Sequence, residues 1–264
     1  MNKLDILFNN KKENLLSVYF TAGYPRLSDT AEIISELENN QVDLMEIGIP
    51  FSDPIADGPV IQHSNSAALE NGMTLKLLFN QLKSIKGDST VPRVMMGYFN
   101  PVFRFGMEDF CKACESAGID GVIIPDLPLK EFELNYKTLF DRFGIHFIFL
   151  VTPQTSKYRL EQIDKLSNCF VYAVSTNSTT GGTADFSHQQ EYFNRLKENL
   201  NHPFLIGFGV QDKESFDFAC QYASGAIVGS AFIRELSKTG GLKNNIKRFI
   251  HHLKIEQNDC AVKE

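Results

Sequence analysis

The sequence predicts a closed (β/α)8 barrel, and three observations carry that expectation. The chain has 264 residues, the length of one eight-stranded α/β barrel of roughly 250 residues. Eight short apolar runs bounded by turn residues recur along it, too continuously apolar for strands with one solvated face. Amphipathic stretches separate these runs, and alternating strand and helix signals imply a parallel sheet with its helices outside. A doubly wound open sheet fits the same alternation and remains the structural alternative. The expected organisation is one barrel domain over 1–264.

The elements follow in order. A short helix over 4–9 precedes the first strand and is placed to plug the bottom of the barrel. The strands are expected at 16–20 (LSVYF), 44–49 (LMEIGI), 94–98 (VMMGY), 121–125 (GVIIP), 146–151 (HFIFLV), 170–174 (FVYAV), 204–208 (FLIGF) and 226–229 (AIVG). Each is a buried run closed by glycine, proline or polar residues. Helices are expected at 29–37, 75–85, 107–117, 131–143, 157–166, 189–200, 213–222 and 242–253, where apolar residues recur at helical spacing. The gap between Pro50 and Pro92 is long enough for a loop with an extra helical turn around 64–70, and insertions at a strand's C-terminal end belong on the catalytic face. The tail over 256–264 is polar enough to fray.

Composition narrows the function. Hydrophobic residues make up 43% and charged residues 22%, those of an ordinary globular protein. A net charge of −6 with scattered lysines and arginines argues against binding a nucleic-acid backbone. No apolar run approaches the roughly 18 residues that span a membrane, and the acidic, amide-rich start is unlike a signal peptide. Five cysteines fit reduced thiols, so Cys111 and Cys114 of the C-x-x-C are read as packed core residues. The expected compartment is the cytoplasm.

The segment 45–59 (MEIGIPFSDPIADGP) places Glu46 inside an apolar strand and Asp53 and Asp57 in the proline-rich loop that follows. A carboxylate in such a run must be paired, face a solvated mouth or be held for chemistry, because burying it unpaired costs several kcal/mol. Glu46 alone reads first as a layer-capping residue bonded to neighbouring hydroxyls. With the loop aspartates on the same face, two carboxyls can converge and be separated into acid and base. Tyr19, Phe20, Met96, Tyr98, Ile123, Phe149, Leu150, Tyr172 and Phe208 lie near strand ends and can wall a flat aromatic ligand. Gly181, Gly209, Gly229 and Ser230 follow strands six to eight, where exposed backbone N–H groups can cradle a phosphate.

These motifs resemble those of the tryptophan synthase α subunit family over nearly the whole chain. The agreement covers 44–59, Thr21-Ala22-Gly23-Tyr24-Pro25, Tyr98-Phe99-Asn100-Pro101, Pro125-Asp126-Leu127-Pro128, Gly207-Phe208-Gly209 and Gly229-Ser230-Ala231. The resemblance implies a lyase of tryptophan biosynthesis: reversible aldol cleavage of indole-3-glycerol phosphate to indole and glyceraldehyde 3-phosphate, with no cofactor in this chain. It makes Glu46 the acid–base residue and Asp57 the acceptor of the indole N–H. It puts Tyr19, Met96, Ile123, Leu150, Tyr172 and Phe208 around the indole and Gly181, Gly209, Gly229 and Ser230 on the phosphate. Thr180 matches the closing-loop threonine that orients the aspartate.

The resemblance also implies a pyridoxal-phosphate β subunit that receives the indole, in an α2β2 heterotetramer. Docking is expected on the loop 50–59 and on 100–105, with Phe103 and Phe105 exposed. One departure is visible. The loop 175–182 lacks the arginine the family commonly carries, which predicts weaker lid closure. A non-catalytic activating subunit and another phosphate-handling barrel, either a sugar-phosphate isomerase or a stand-alone lyase, remain as competing readings.

Overall fold

In the computed structural model the described residues are 1–85, 87, 89–175, 186–207 and 209–254. Nine parallel strand segments build one sheet: β1 (Leu15–Thr21), β2 (Leu44–Gly48), β3 (Arg93–Met96), β4 (Gly121–Ile123), β5 (His146–Phe147), β6 (Leu150–Val151), β7 (Val171–Val174), β8 (Phe204–Gly207) and β9 (Gly225–Val228). Their order is β5-β4-β3-β2-β1-β9-β8-β7-β6. The ends of that order are two halves of a single run, 146–151. Its first half pairs with β4 and its second with β7. Between the halves, Ile148 N–H donates to Val122 O and Tyr172 N–H to Phe149 O, both at 2.9 Å, so the ring closes through the fifth predicted strand.

The register gives an independent check. Tyr19 pairs with Glu46, Glu46 with Val94, Val94 with Gly121 and Gly121 with His146. Carried on through β7, β8 and β9, the same register returns to the first strand's chain at position 11, eight residues from Tyr19. A shear of eight is that of the eight-stranded α/β barrel. Because the shift is even, each strand keeps one face inward all the way round.

Helices cover the outside, and several begin where the sequence supplies a cap. Asn2 accepts from Leu4 N–H to open α1 (Lys3–Asn10). The next, α2 (Asp29–Asn39), is followed by α3 (Pro59–Glu70) and α4 (Leu75–Ser84), the last capped by Thr74. Helices α5 (Phe99–Phe105) and α6 (Met107–Ala117) meet at Gly106, and α6 stops at Gly118 in the left-handed conformation at φ 70°. A short α7 (Leu129–Glu131), a π segment over Phe132–Tyr136 and α8 (Lys137–Arg142) occupy the predicted helix 131–143. Then come α9 (Lys157–Leu166), α10 (Phe186–Asn199), α11 (Lys213–Tyr222), α12 (Ser230–Leu236) and α13 (Leu242–Lys254). Asp212 and Ser215 form a reciprocal capping box on α11.

The plug is as expected. Leu4 is fully buried, and a Cβ added to inward-facing Gly121 would meet both it and Ile148. Outward residues of the strands fill the layer beneath the helices, where Phe132 stacks on Phe147 with centroids 4.1 Å apart and meets Phe149 edge-on. Cys111 and Cys114 are buried in α6, as read from the sequence.

Two differences have local causes. Helix α3 runs three turns rather than one, because Gly58 is extended and Pro59 sits at its first position, where no N–H is needed. Helix α5 was not expected at all: Pro101 disguises it, yet a proline in the first turn blocks no hydrogen bond. Among the described residues no helix is long and apolar enough to cross a membrane.

Candidate active site

Glu46 sits in the middle of β2, fully buried, its Cα opposite Tyr19 of β1. Its side chain reaches back past that partner to Ser17, whose hydroxyl donates to Oε1 at 2.8 Å. Among the described residues Oε2 has no hydrogen-bond partner. Burial pushes the Glu46 carboxyl up to about 7, and the Ser17 bond offsets only part of that rise.

Asp57 lies in the turn between β2 and α3 and is half-buried. Tyr98, just beyond β3, donates to its Oδ2 at 3.2 Å and accepts from Ala56 N–H at 3.1 Å, so one phenol holds both the carboxyl and the loop backbone. Phe51 stacks on the Tyr98 ring at 4.9 Å. Desolvation raises the Asp57 carboxyl to about 6, again against the effect of its hydrogen bond. Asp53 takes no part: it is exposed and accepts from its neighbour Ser52.

Tyr19 and Tyr172 connect the two carboxyls. Both are buried inside the barrel, and both phenols are pushed far above their ordinary range, first by burial and then by the nearby Asp57 and Glu46. Each ring lies over a glycine of a neighbouring strand. A Cβ at Gly48 would strike the Tyr19 hydroxyl, and one at Gly207 would strike that of Tyr172. These glycines are where a close approach requires no side chain.

Met96 and Ile123 share the inward face of β3 and β4, and Leu150 faces inward on β6 opposite Tyr172. Met96 and Leu150 are partly exposed although they point into the barrel. Phe20 and Phe149 are not part of that wall. They fall on the outward face, Phe20 opposite Ile47 and Phe149 against Phe132 and Phe147, because they sit one residue out of phase with Tyr19 and Leu150.

On the far side Gly209 has φ 81°, and Gly229 lies in van der Waals reach of Tyr19 and leads directly into Ser230 at the start of α12. Thr180, Gly181, Phe208 and the altered loop 176–182 lie outside the described residues, as does the tail.

Sequence reasoning missed Ser17 and undervalued Tyr98. Both left signals. Ser17, Tyr19 and Thr21 are three hydroxyl-bearing residues at a spacing of two in an otherwise apolar strand, which points them all to the same side. Tyr98 was read as an aromatic wall; its hydroxyl is what matters. Phe105, expected at the surface, is half-buried against Phe79 at 5.5 Å, whereas Phe103 is 58% exposed. Two residues apart in a helix of roughly 3.6 residues per turn, these side chains emerge about 200° apart, on nearly opposite faces.

A barrel with two carboxyls of raised pKa, one in the second strand and one in the loop beyond its C-terminal end, defines the class of (β/α)8-barrel enzymes that work by acid–base chemistry. The comparisons with known proteins narrow the class. The family model described as tryptophan synthase alpha chain matches residues 7–261. The tryptophan synthase alpha chain of Flavobacterium psychrophilum is 50% identical over 255 residues, covering 96% of this chain and all of that one. The solved alpha chain of Legionella pneumophila superposes with a TM-score of 0.86 at 28% identity, covering 96% of each chain. A chain of the tryptophan synthase complex from Pyrococcus furiosus gives 0.84 at 32% identity, covering 92% of this chain and 98% of that one. The chain belongs to the tryptophan synthase alpha chain family.

Proposed function

We propose that this chain cleaves indole-3-glycerol phosphate reversibly into indole and glyceraldehyde 3-phosphate, with Glu46 and Asp57 as its catalytic residues. The observation that supports it best is the pair itself: two carboxyls near the same two tyrosines, with pKa values raised to about 7 and about 6. Indole leaves poorly until its C3 is protonated, and the side-chain hydroxyl must lose a proton as the carbon–carbon bond breaks. A carboxyl titrating near neutrality is suited to both transfers, which gives Glu46 the acid–base role. Protonation at C3 puts positive charge on the ring nitrogen, and an ionised Asp57 stabilises it by accepting the N–H.

Tyr19, Met96, Ile123, Leu150, Tyr172 and Phe208 are assigned to the indole, and Gly181, Gly209, Gly229 and Ser230 to the phosphate, with Thr180 orienting Asp57. Acid–base side chains suffice for this chemistry. The partner in this proposal is a tryptophan synthase β subunit, and an α2β2 heterotetramer is the proposed assembly. Ile55, 90% exposed in the loop that carries Asp57, and Phe103 offer it apolar contacts.

The test is indole release from indole-3-glycerol phosphate by the purified chain with and without a β subunit. Slow release that rises with the partner and collapses in Glu46→Gln and Asp57→Asn is the expected result. No release under either condition would move the reading to a regulatory subunit or a different phosphorylated substrate.

A further inference from the structure

We propose that Ser17 is a positioning residue for Glu46: its hydroxyl holds Oε1 and reserves Oε2 as the oxygen that carries the proton in the cleavage. The inference rests on the reading of Glu46 as the acid–base residue. It starts from an asymmetry in the ligand-free site. Ser17 and Glu46 are both fully buried, one oxygen of the carboxyl accepts a 2.8 Å bond, and the other has no partner among the described residues. A neutral carboxyl carries its proton on one oxygen only. With Ser17 donating to Oε1, the proton belongs on Oε2, the oxygen that is free to meet a ligand.

The surroundings leave this work to Ser17. The titratable groups near Glu46 are Tyr19 on β1, Tyr172 on β7 and Asp57 in the β2–α3 loop. Burial holds both phenols far above neutrality, so they carry no charge, and the Asp57 carboxyl is held by the Tyr98 hydroxyl. Among the described residues Ser17 is the single donor to Glu46. An apolar residue at position 17 would keep the strand's inward face but leave both carboxyl oxygens without a donor among the described residues. The hydroxyl therefore fixes which oxygen is reactive, and, because it donates to the carboxylate, keeps ionisation within reach of neutral pH.

The experiment is the pH dependence of kcat/KM for indole release by the full chain, in wild type, Ser17→Ala, Ser17→Cys and Glu46→Gln. Removing a donor to the carboxylate favours its protonated form. Ser17→Ala is expected to move the Glu46-dependent limb about one pH unit upward and to lower kcat about tenfold near pH 7, with KM within about twofold. Ser17→Cys preserves the packing and offers a weaker donor, so its limb falls between the two, and it carries the test if the alanine variant does not fold. A merely structural serine would alter thermal stability and leave the limb in place. An unmoved limb in both serine variants, with Glu46→Gln inactive, overturns the positioning role and leaves the acid–base reading standing. Full activity in Glu46→Gln overturns both.

Discussion

Glu46→Gln is expected to stabilise the folded chain at pH 8 and to change it little at pH 5. In the fold, burial holds this carboxyl near pH 7, against 4.5 for an accessible glutamate. A folded pKa above the unfolded one means that the fold favours the protonated form. That contribution is whole below about pH 4.5 and is lost as the pH rises through about 7. The gap of about 2.5 units, at about 1.36 kcal/mol each, is worth about 3 kcal/mol in full, of which about 2–3 kcal/mol falls between pH 5 and pH 8. Glutamine cannot ionise and escapes the loss. Its own packing differences do not titrate, and Asp57 shifts in both chains alike, so both drop out of the pH dependence of the difference. Urea unfolding of wild type and variant across pH 5 to 8 measures it. A difference that stays constant with pH would refute the reasoning, because it would mean that the Glu46 carboxyl is solvated or paired in the folded state.

Three further outcomes follow from the geometry. Tyr98→Phe keeps the ring on Phe51 but removes the donor to Asp57, so the Asp57 carboxyl rises above about 6. Since Asp57 is proposed to work ionised, activity should fall about three- to tenfold near pH 6 and less at pH 8, as a pH profile of indole release reads directly. Gly207→Ala drives a methyl group into the Tyr172 ring and should cost about 1–3 kcal/mol in stability while raising KM, seen by unfolding and steady-state kinetics. Leu4→Ala empties the plug at the opposite end of the barrel, so thermal unfolding should show a loss of about 2–5 kcal/mol with kcat unchanged.

The barrel was legible because its signal is redundant. Eight apolar runs and the helices between them constrain one another, and a misjudged end, such as β3 stopping at Met96 rather than at 98, does not change the topology. The site was legible in part, for a different reason. Glu46 and Asp57 stand out as charges where charges are costly. Their partners do not, since a serine in a strand and a tyrosine at a strand end are unremarkable until the register shows what they face. Phase was the other gap. Phe20 and Phe149 are as aromatic and as near the strand ends as Tyr19 and Tyr172, and only the parity of the closed sheet separates wall from packing layer. Helix α5 was hidden by composition, since Pro101 reads as a breaker unless the helix start is already known.

Burial alone does not distinguish the two site carboxyls, and the rest of the molecule shows why. Asp164 and Glu235 are buried as well, which by itself would raise them, yet both are held below the ordinary carboxylate range. His202 and Asn201 surround Asp164 with donors, and Arg248 and Lys238 reach Glu235 at 2.7 and 2.6 Å. Asp120, under the barrel, is raised like the site pair, but its oxygens accept from the backbone N–H groups of Lys3 and Arg93 and tie the N-terminal helix to β3. What sets Glu46 and Asp57 apart is a combination: each has one neutral hydroxyl donor, no cationic partner among the described residues, and a place near the same two buried tyrosines, Tyr19 and Tyr172. A lysine or arginine in place of Ser17 would lock the Glu46 carboxylate in the charged form and leave it no proton to give at neutral pH. Neutral hydroxyls orient the two groups without fixing their charge, which suits the acid–base role proposed for Glu46.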